Sequence, residues 1–310
     1  MPNYSKRAIL IDGHAIIYRA YHAFPSLTSA EGQLVNAVYG FSRLLLTVIR
    51  DFHPHYIAVT FDHKAKTKRS EQYVEYKAHR PPMPDDLRPQ IEIIKEFVDT
   101  LSIPRFELAG YEADDLIGTI SKQIEAEHPD IPVLIVTGDK DLLQLVTDQT
   151  HVFIPGRGKF SKDIEYDPAT VLAKLKITPE QVIDYKALRG DTSDNIPGVA
   201  GIGEKTAVRL IQKYQTVEAV LDAAQNGGES ELIKGALLRK LQEGKSLALL
   251  SQELARVQRD VPIEFSLQNC VVSNYDKTAA VDFCKRFEFR SLVSLLPKDL
   301  FEQQVQASLF

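Results

Sequence analysis

Between residues 7 and 150, short apolar runs alternate with longer stretches whose apolar positions recur on a helical period. Residues 8–11 (AILI) are unbroken apolar sequence ending at Asp12 and Gly13, the pattern of a strand buried on both faces. A second run, 56–61 (YIAVTF), stops at Asp62, and a third, 132–136 (PVLIV), is closed by Thr137, Gly138 and Asp139. Residues 34–52, 85–101 and 112–127 read as helices, the second with Asp85 and Asp86 in its first turn. Strands separated by helices predict an α/β fold with a mostly parallel central sheet and helices on both faces. After about residue 165 the strand pattern nearly vanishes. Helices are expected over 168–175, 179–189, 203–214, 216–224, 230–242, 243–257 and 275–288, with Gly227 and Gly228 in a loop. The expected organisation is an α/β core over 1–165 with a helical region over 166–310 packed on it.

Composition adds mainly exclusions. Apolar residues make up 44% of the 310 and charged residues 25%, ordinary for a folded globular chain. No run approaches the roughly 18 apolar residues of a membrane span. The N-terminal run follows Lys6 and Arg7 but stops at Asp12, unlike a signal peptide, so a cytoplasmic location is expected. Two cysteines, Cys270 and Cys284, build neither a disulfide framework nor a zinc site by themselves. The net charge of −5 argues against a nucleic-acid partner only if acids and bases are evenly mixed.

They are not. Asp12 follows the first strand, Asp62 the second, and Asp139 and Asp141 the third. Glu112, Asp114 and Asp115 open a helix, and Asp191 and Asp194 flank a turn in RGDTSDNIPG. Asp is common in turns and at helix caps, which accounts for any one of these alone. Three successive strands all ending in Asp call for another cause, since sites in parallel sheets form at the carboxyl ends of strands. Two carboxylates about 4 Å apart repel by roughly 4 kcal/mol at an effective dielectric of 20, so a converging set must be protonated or neutralised by cations. Oxygen ligands without His or Cys select Mg²⁺ or Mn²⁺ over zinc. Nine acids exceed the needs of one ion; two ions about 3.5–4 Å apart fit better and point to in-line displacement at phosphorus.

Residues 64–80 (KAKTKRSEQYVEYKAHR) set six bases against Glu71 and Glu75. Lys66, Lys68 and Arg69 precede Tyr73 and Tyr76, and Lys77 and Arg80 follow, before Pro81, Pro82 and Pro84 stiffen the exit. Cations attract phosphates and aromatic faces stack unpaired bases, the pattern of single-strand binding. Coming directly after Asp62, this segment is expected to rise from the rim of the acidic crevice. Downstream, GVAGIGEKT (198–206) is not a Walker A loop, because Glu204 separates Gly203 from Lys205 and no apolar strand precedes it. It reads instead as a helix-hairpin-helix over about 185–215. Gly198, Gly201 and Gly203 let the backbone approach a phosphate, and Lys205 and Thr206 open the following helix.

Taken together, LIDGHAIIYRAYHA, VTFDHKAKTKR, YKAHRPPMPDDLR, YEADDLIGT, TGDKDLLQLV and ALRGDTSDNIPGVAGIGEKTA resemble the 5′ nuclease domains of bacterial DNA polymerase I, relatives of the flap endonucleases. The resemblance spans 7–210 in order and continues more thinly through KSLALLSQELARV and FCKRFEFRSL. It implies one ion on Asp12, Asp62, Glu112 and Asp114, and a second on Asp139, Asp141 and Asp194, with Asp115 and Asp191 around them. It also implies a helical arch over about 64–88 through which a 5′ single strand passes. Lys77 and Arg80 would face the scissile phosphate, with Tyr76 and Arg19 near the reacting nucleotide. The hairpin would hold duplex DNA with a monovalent cation such as K⁺. The implied reaction is hydrolysis of 5′ flaps, nicked DNA and RNA primers on DNA, in replication and repair. The sequence leaves open whether the chain stands alone or belongs to a longer polymerase. A non-catalytic module recognising branched DNA is the rival reading; a dehalogenase-type phosphatase is disfavoured because Asp12-Gly13-His14 lacks the second Asp of D-x-D.

Overall fold

The computed structural model describes residues 6–156, 161–226, 230–272, 275–299 and 302; Gly227 and Gly228 lie outside them. Among the described residues, six strands, β1 (Ala8–Asp12), β2 (Tyr56–Thr60), β3 (Arg105–Phe106), β4 (Val133–Val136), β5 (Thr150–Ile154) and β6 (Ile164–Tyr166), form one sheet in the order β3-β2-β1-β4-β5-β6. All neighbours are parallel except β5 and β6. Every residue of β1, β2 and β4 is buried, which is why these strands show as continuous apolar runs.

Alternation along the central strands divides the core in two. Ile9, Ile11, Ile57, Val59, Leu134 and Val136 face one side, with the helices Gly13–Ala23, Asn36–Phe52 and Arg88–Thr100. Ala8, Leu10, Tyr56, Ala58, Val133 and Ile135 face the other, with Ala113–Glu127 and the helices from Pro168–Leu175 to Lys245–Ala255. The last helices, Lys277–Arg286 and Arg290–Val293, return to the first side, burying Phe283, Phe287, Phe289 and Leu292 there. They therefore leave the helical region they follow in sequence; the Phe97 and Phe283 rings pack at 5.0 Å between centres, tilted by 40°.

Several elements differ from the expectations. Gly13–Ala23, for which no helix was expected, is a helix that begins at the very end of β1 with Asp12 as its cap. Strands β3, β5 and β6 add to the three expected; β3 has two residues, and β5 and the edge strand β6 are only partly buried, so none shows as a long apolar run. Asp85 and Asp86 precede their helix, which starts at Arg88 after a turn closed by Leu87 N–H on the Pro84 carbonyl (3.0 Å). Within 64–87, α-helix is confined to Lys68–Gln72, and 74–79 is a succession of turns. Cys270 and Cys284 are buried and free. Among the described residues no helix is long and apolar enough to cross a membrane.

Candidate active site

The parallel register sets the ends of β1, β2 and β4 side by side, pairing Asp12 with Thr60 and Ile11 with Val136. The acids that follow thus emerge on one edge. Asp12 is almost fully buried; one carboxylate oxygen accepts the Ala15 N–H (3.0 Å) and the other the Thr137 hydroxyl (2.6 Å). Thr137 Oγ1 in turn accepts the Asp139 N–H (2.9 Å), and Asp139 accepts the Asp141 N–H (2.9 Å). Asp62 accepts the Ala113 N–H (2.8 Å) at the start of the next helix. Its own N–H donates to His14 Nδ1 (2.9 Å), and burial pushes the His14 pKa down, favouring the neutral acceptor. His14 and Thr137 escaped the sequence reading. Their only signal was their position inside DGH and TGD.

Helix Ala113–Glu127 opens with a reciprocal cap: Glu112 is the N-cap and Asp115 Oδ2 accepts the Glu112 N–H (3.1 Å). Asp114 faces Asp12 and Asp139. Burial first, then those two charges, raise its pKa well above the usual carboxylate range. Burial likewise lifts Asp12 to about 7, against its hydrogen bonds from Thr137 and Ala15 and with the help of Asp62 and Asp139. Asp141 is lifted to about 7 by burial and then by Asp139, with Asp194 adding to it. The acids of β1, β2, β4 and this helix therefore share one field, and repulsion within it favours any added cation.

The basic segment does not stand clear of that field. Lys77, in a left-handed backbone conformation (φ 56°), places Nζ 2.9 Å from Glu112 Oε2 and 3.8 Å from Asp194 Oδ2. Arg80 pairs with Asp194 Oδ1 at 2.5 Å and keeps about half its side chain exposed. Tyr76 is buried, its hydroxyl donating to Glu112 Oε2 (3.1 Å). Arg69, expected on the DNA-facing side, is buried instead: its guanidinium grips both Asp115 oxygens (2.8 and 2.6 Å) and reaches Glu112 Oε2 (3.4 Å). Tyr73 bonds Glu75 (2.8 Å), Lys68 lies over the Tyr111 ring, and Lys66 is exposed. Arg19 donates to the Gly156 carbonyl.

The hairpin joins helices Val182–Arg189 and Glu204–Tyr214. Gly198 (φ 62°) packs on Gly190, where a Cβ would lie 2.3 Å from the Gly190 nitrogen; Gly198 N–H donates to Ser251 Oγ (2.9 Å). Gly201 (φ 76°) presents its carbonyl to Lys240 Nζ at 3.1 Å. Gly203 caps the second helix, and Lys205 is exposed beside the partly buried Thr206. The hairpin also meets the basic segment, through Lys77 N–H on the Asp194 carbonyl (2.9 Å) and the Asn195 amide on the Glu75 carbonyl (2.7 Å). A further cation missed from sequence is Lys186. Its buried ammonium bridges Asp141 and Asp191, the latter at 2.5 Å. Burial alone would raise Asp191, but Lys186 and the Ser193 hydrogen bonds outweigh it and bring its pKa down to about 2.

Among the described residues no three His, Cys, Asp or Glu side chains are arranged to hold a metal ion as they stand. The donor set nevertheless suits a hard cation, with oxygen ligands only and carboxyls lifted by burial and mutual repulsion. What occupies the carboxylates is protein: Lys77 on Glu112, Arg80 on Asp194, Lys186 on Asp141.

A family model described as "5'-3' exonuclease, N-terminal resolvase-like domain" matches residues 7–176, and one described as "5'-3' exonuclease, C-terminal SAM fold" matches 177–278. DNA polymerase I of Bacillus subtilis is 40% identical over 305 residues, covering 98% of this chain and 34% of the relative. The thermostable DNA polymerase I of Thermus aquaticus is 39% identical, covering 93% of this chain and 32% of its own length. The chain thus spans about a third of these relatives. Among solved structures, the T5 D15 protein co-crystallised with metal ions superposes with a TM-score of 0.66 at 20% identity, covering 94% of this chain and all of that one. The catalytic core of Rad2 in complex with DNA substrate gives 0.62 at 17% identity, covering 95% and 94%. At these identities the structural likeness shows the fold. With both family models matched in tandem, this chain belongs to the 5'-3' exonuclease family.

Proposed function

We propose that the chain is a structure-specific 5′-3′ exonuclease and flap endonuclease that hydrolyses phosphodiesters of 5′ flaps, nicked DNA and RNA primers on DNA. The α/β part (1–165) would carry the chemistry and the helical part (166–310) the duplex, as the N-terminal portion of a DNA polymerase I or as a stand-alone homologue in replication and repair. The observation that carries this reading is the edge of carboxylates from three strand ends and one helix start, faced by the cations of the 64–80 segment.

Asp12, Asp62, Glu112 and Asp114 would hold one Mg²⁺ and Asp139, Asp141 and Asp194 a second, with Mn²⁺ able to substitute and Asp115 and Asp191 outside them. When bound, such ions supply activation of the attacking water and stabilisation of charge on the leaving oxygen. The protein's own contribution is arrangement. Thr137 fixes the Asp12 carboxylate against the Asp139 backbone N–H. Lys77 and Arg80, once released from Glu112 and Asp194, are left as unpaired cations at the rim, where a phosphate can take the carboxylates' place. Tyr76 and Arg19 would lie near the reacting nucleotide; Lys66, Lys68 and Tyr73 would guide the single strand. Gly198, Gly201, Gly203, Lys205 and Thr206 would hold duplex phosphates, with K⁺ the ion the hairpin carbonyls would take. Incubating the chain with a 5′-labelled flap duplex, with and without Mg²⁺, tests the reading. Metal-dependent release of the flap is expected, and tight binding with no cutting would support a branched-DNA-binding module instead.

A further inference from the structure

Beyond helix Lys245–Ala255 the chain crosses Ala113–Glu127 as an irregular strap, and side chains from three elements hold its backbone. Gln144 donates to the Ala255 carbonyl and accepts the Val257 N–H, both at 2.9 Å. Asp115 accepts the Gln258 N–H (2.8 Å), and Thr119 the Val261 N–H (3.1 Å). Gly118 permits the close approach, since a Cβ there would meet Val257 Cγ1 at 2.7 Å and the Gln258 carbonyl at 3.1 Å.

Arg69 ties the basic segment to this junction. Its Nη1 bonds Asp115 and reaches Glu112; its Nη2 bonds Asp115 and the Arg256 carbonyl (2.6 Å). Both terminal nitrogens are thus spent inside the protein, and the side chain is 7% exposed. A planar fork with several fixed N–H vectors can serve all these acceptors at once, which an ammonium cannot. We propose that Arg69 is a positioning residue, not a phosphate contact: it locks the root of the 64–80 segment, the Glu112–Asp115 cap and the strap into one frame, so that Lys77 and Glu112 meet. The proposal rests on the nuclease reading for its rate measurements, but not for its binding measurements.

The test uses the full chain with Arg69→Lys, Arg69→Gln and Gly118→Ala. Binding of a 5′-flap duplex is measured in EDTA over a KCl series, and kcat and KM separately with Mg²⁺. A lost phosphate contact lowers the slope of log K against log salt by about 0.7–0.9. The expected result is an unchanged slope in Arg69→Gln. In Arg69→Lys, kcat should fall by up to about 100-fold, as for a misplaced reacting group, with KM little changed. Gly118→Ala displaces the strap without removing any charge and should also lower kcat at unchanged slope, which decides the matter if the Arg69 variants do not fold. A slope reduced by nearly one unit in Arg69→Gln and restored in Arg69→Lys overturns the proposal, as does a Gly118→Ala chain that cuts at the normal rate. A wild-type chain that binds flaps but never cuts them refutes the nuclease reading, while the salt slopes still decide the role of Arg69.

Discussion

Replacing Lys186 by Met tests the electrostatic logic of the site most directly. The Lys186 side chain is 8% exposed and bridges Asp141 and Asp191, which are themselves 16% and 13% exposed. Methionine keeps much of the apolar stem and removes the charge. Deleting one partner of a buried ion pair costs about 3–5 kcal/mol, because the remaining charge stays buried. Unfolding entropy of about 2.1 cal/mol/K per residue gives ~0.65 kcal/mol/K for a chain of this length, so Tm should drop by about 5–8 °C. The loss should also depend on pH. Asp141 already sits at about 7, raised by burial and by Asp139. Without Lys186 it moves higher still, so acidification protonates it and relieves the penalty. Calorimetry of both proteins in EDTA at pH 5.5 and pH 8 should show a markedly larger Tm difference at pH 8. A difference below about 2 °C, or one equal at both pH values, would refute the idea that Lys186 neutralises these carboxylates.

Three more outcomes are expected. Asp12 and Asp141 titrate near 7 instead of near 3.8, so the stability they confer is fully present below pH 4 and is lost as pH rises through 7; Tm of the metal-free chain should fall between pH 5 and 8, and Mg²⁺ should raise it more at pH 8 than at pH 5. Gly198→Ala forces a non-glycine residue into positive φ against the Gly190 backbone; it should cost at least about 1–3 kcal/mol by denaturant titration and weaken duplex binding more than single-strand binding. Lys77→Ala should lower turnover sharply with little effect on duplex affinity, whereas Lys205→Ala should mainly reduce duplex affinity and its salt dependence; the reverse pattern in paired kinetic and binding assays would mean that segment and hairpin have been given each other's roles.

Much of this protein was written in its local pattern. β1, β2 and β4 are buried on both faces, so each shows as an uninterrupted apolar run, and the acids after them stand out against it. Chain order with intervening helices was enough to imply a parallel sheet whose strand ends gather Asp12, Asp62 and Asp139 on one edge. The hairpin glycines were likewise visible, because left-handed backbone at Gly198 and Gly201 leaves a compositional mark. What pattern could not supply is pairing across long separations. Whether Arg69 faces solvent or Asp115, 46 positions away, is settled by where a short helix lies against a long one. Lys186 looks like any polar residue of an amphipathic helix until Asp141 and Asp191 close over it. The terminal phenylalanines declare only that they need burial, and the open face beside Phe97 decides where. Hydrophobic period is a property of neighbours in sequence, whereas the partner of a buried charge is set by the packed arrangement of distant elements.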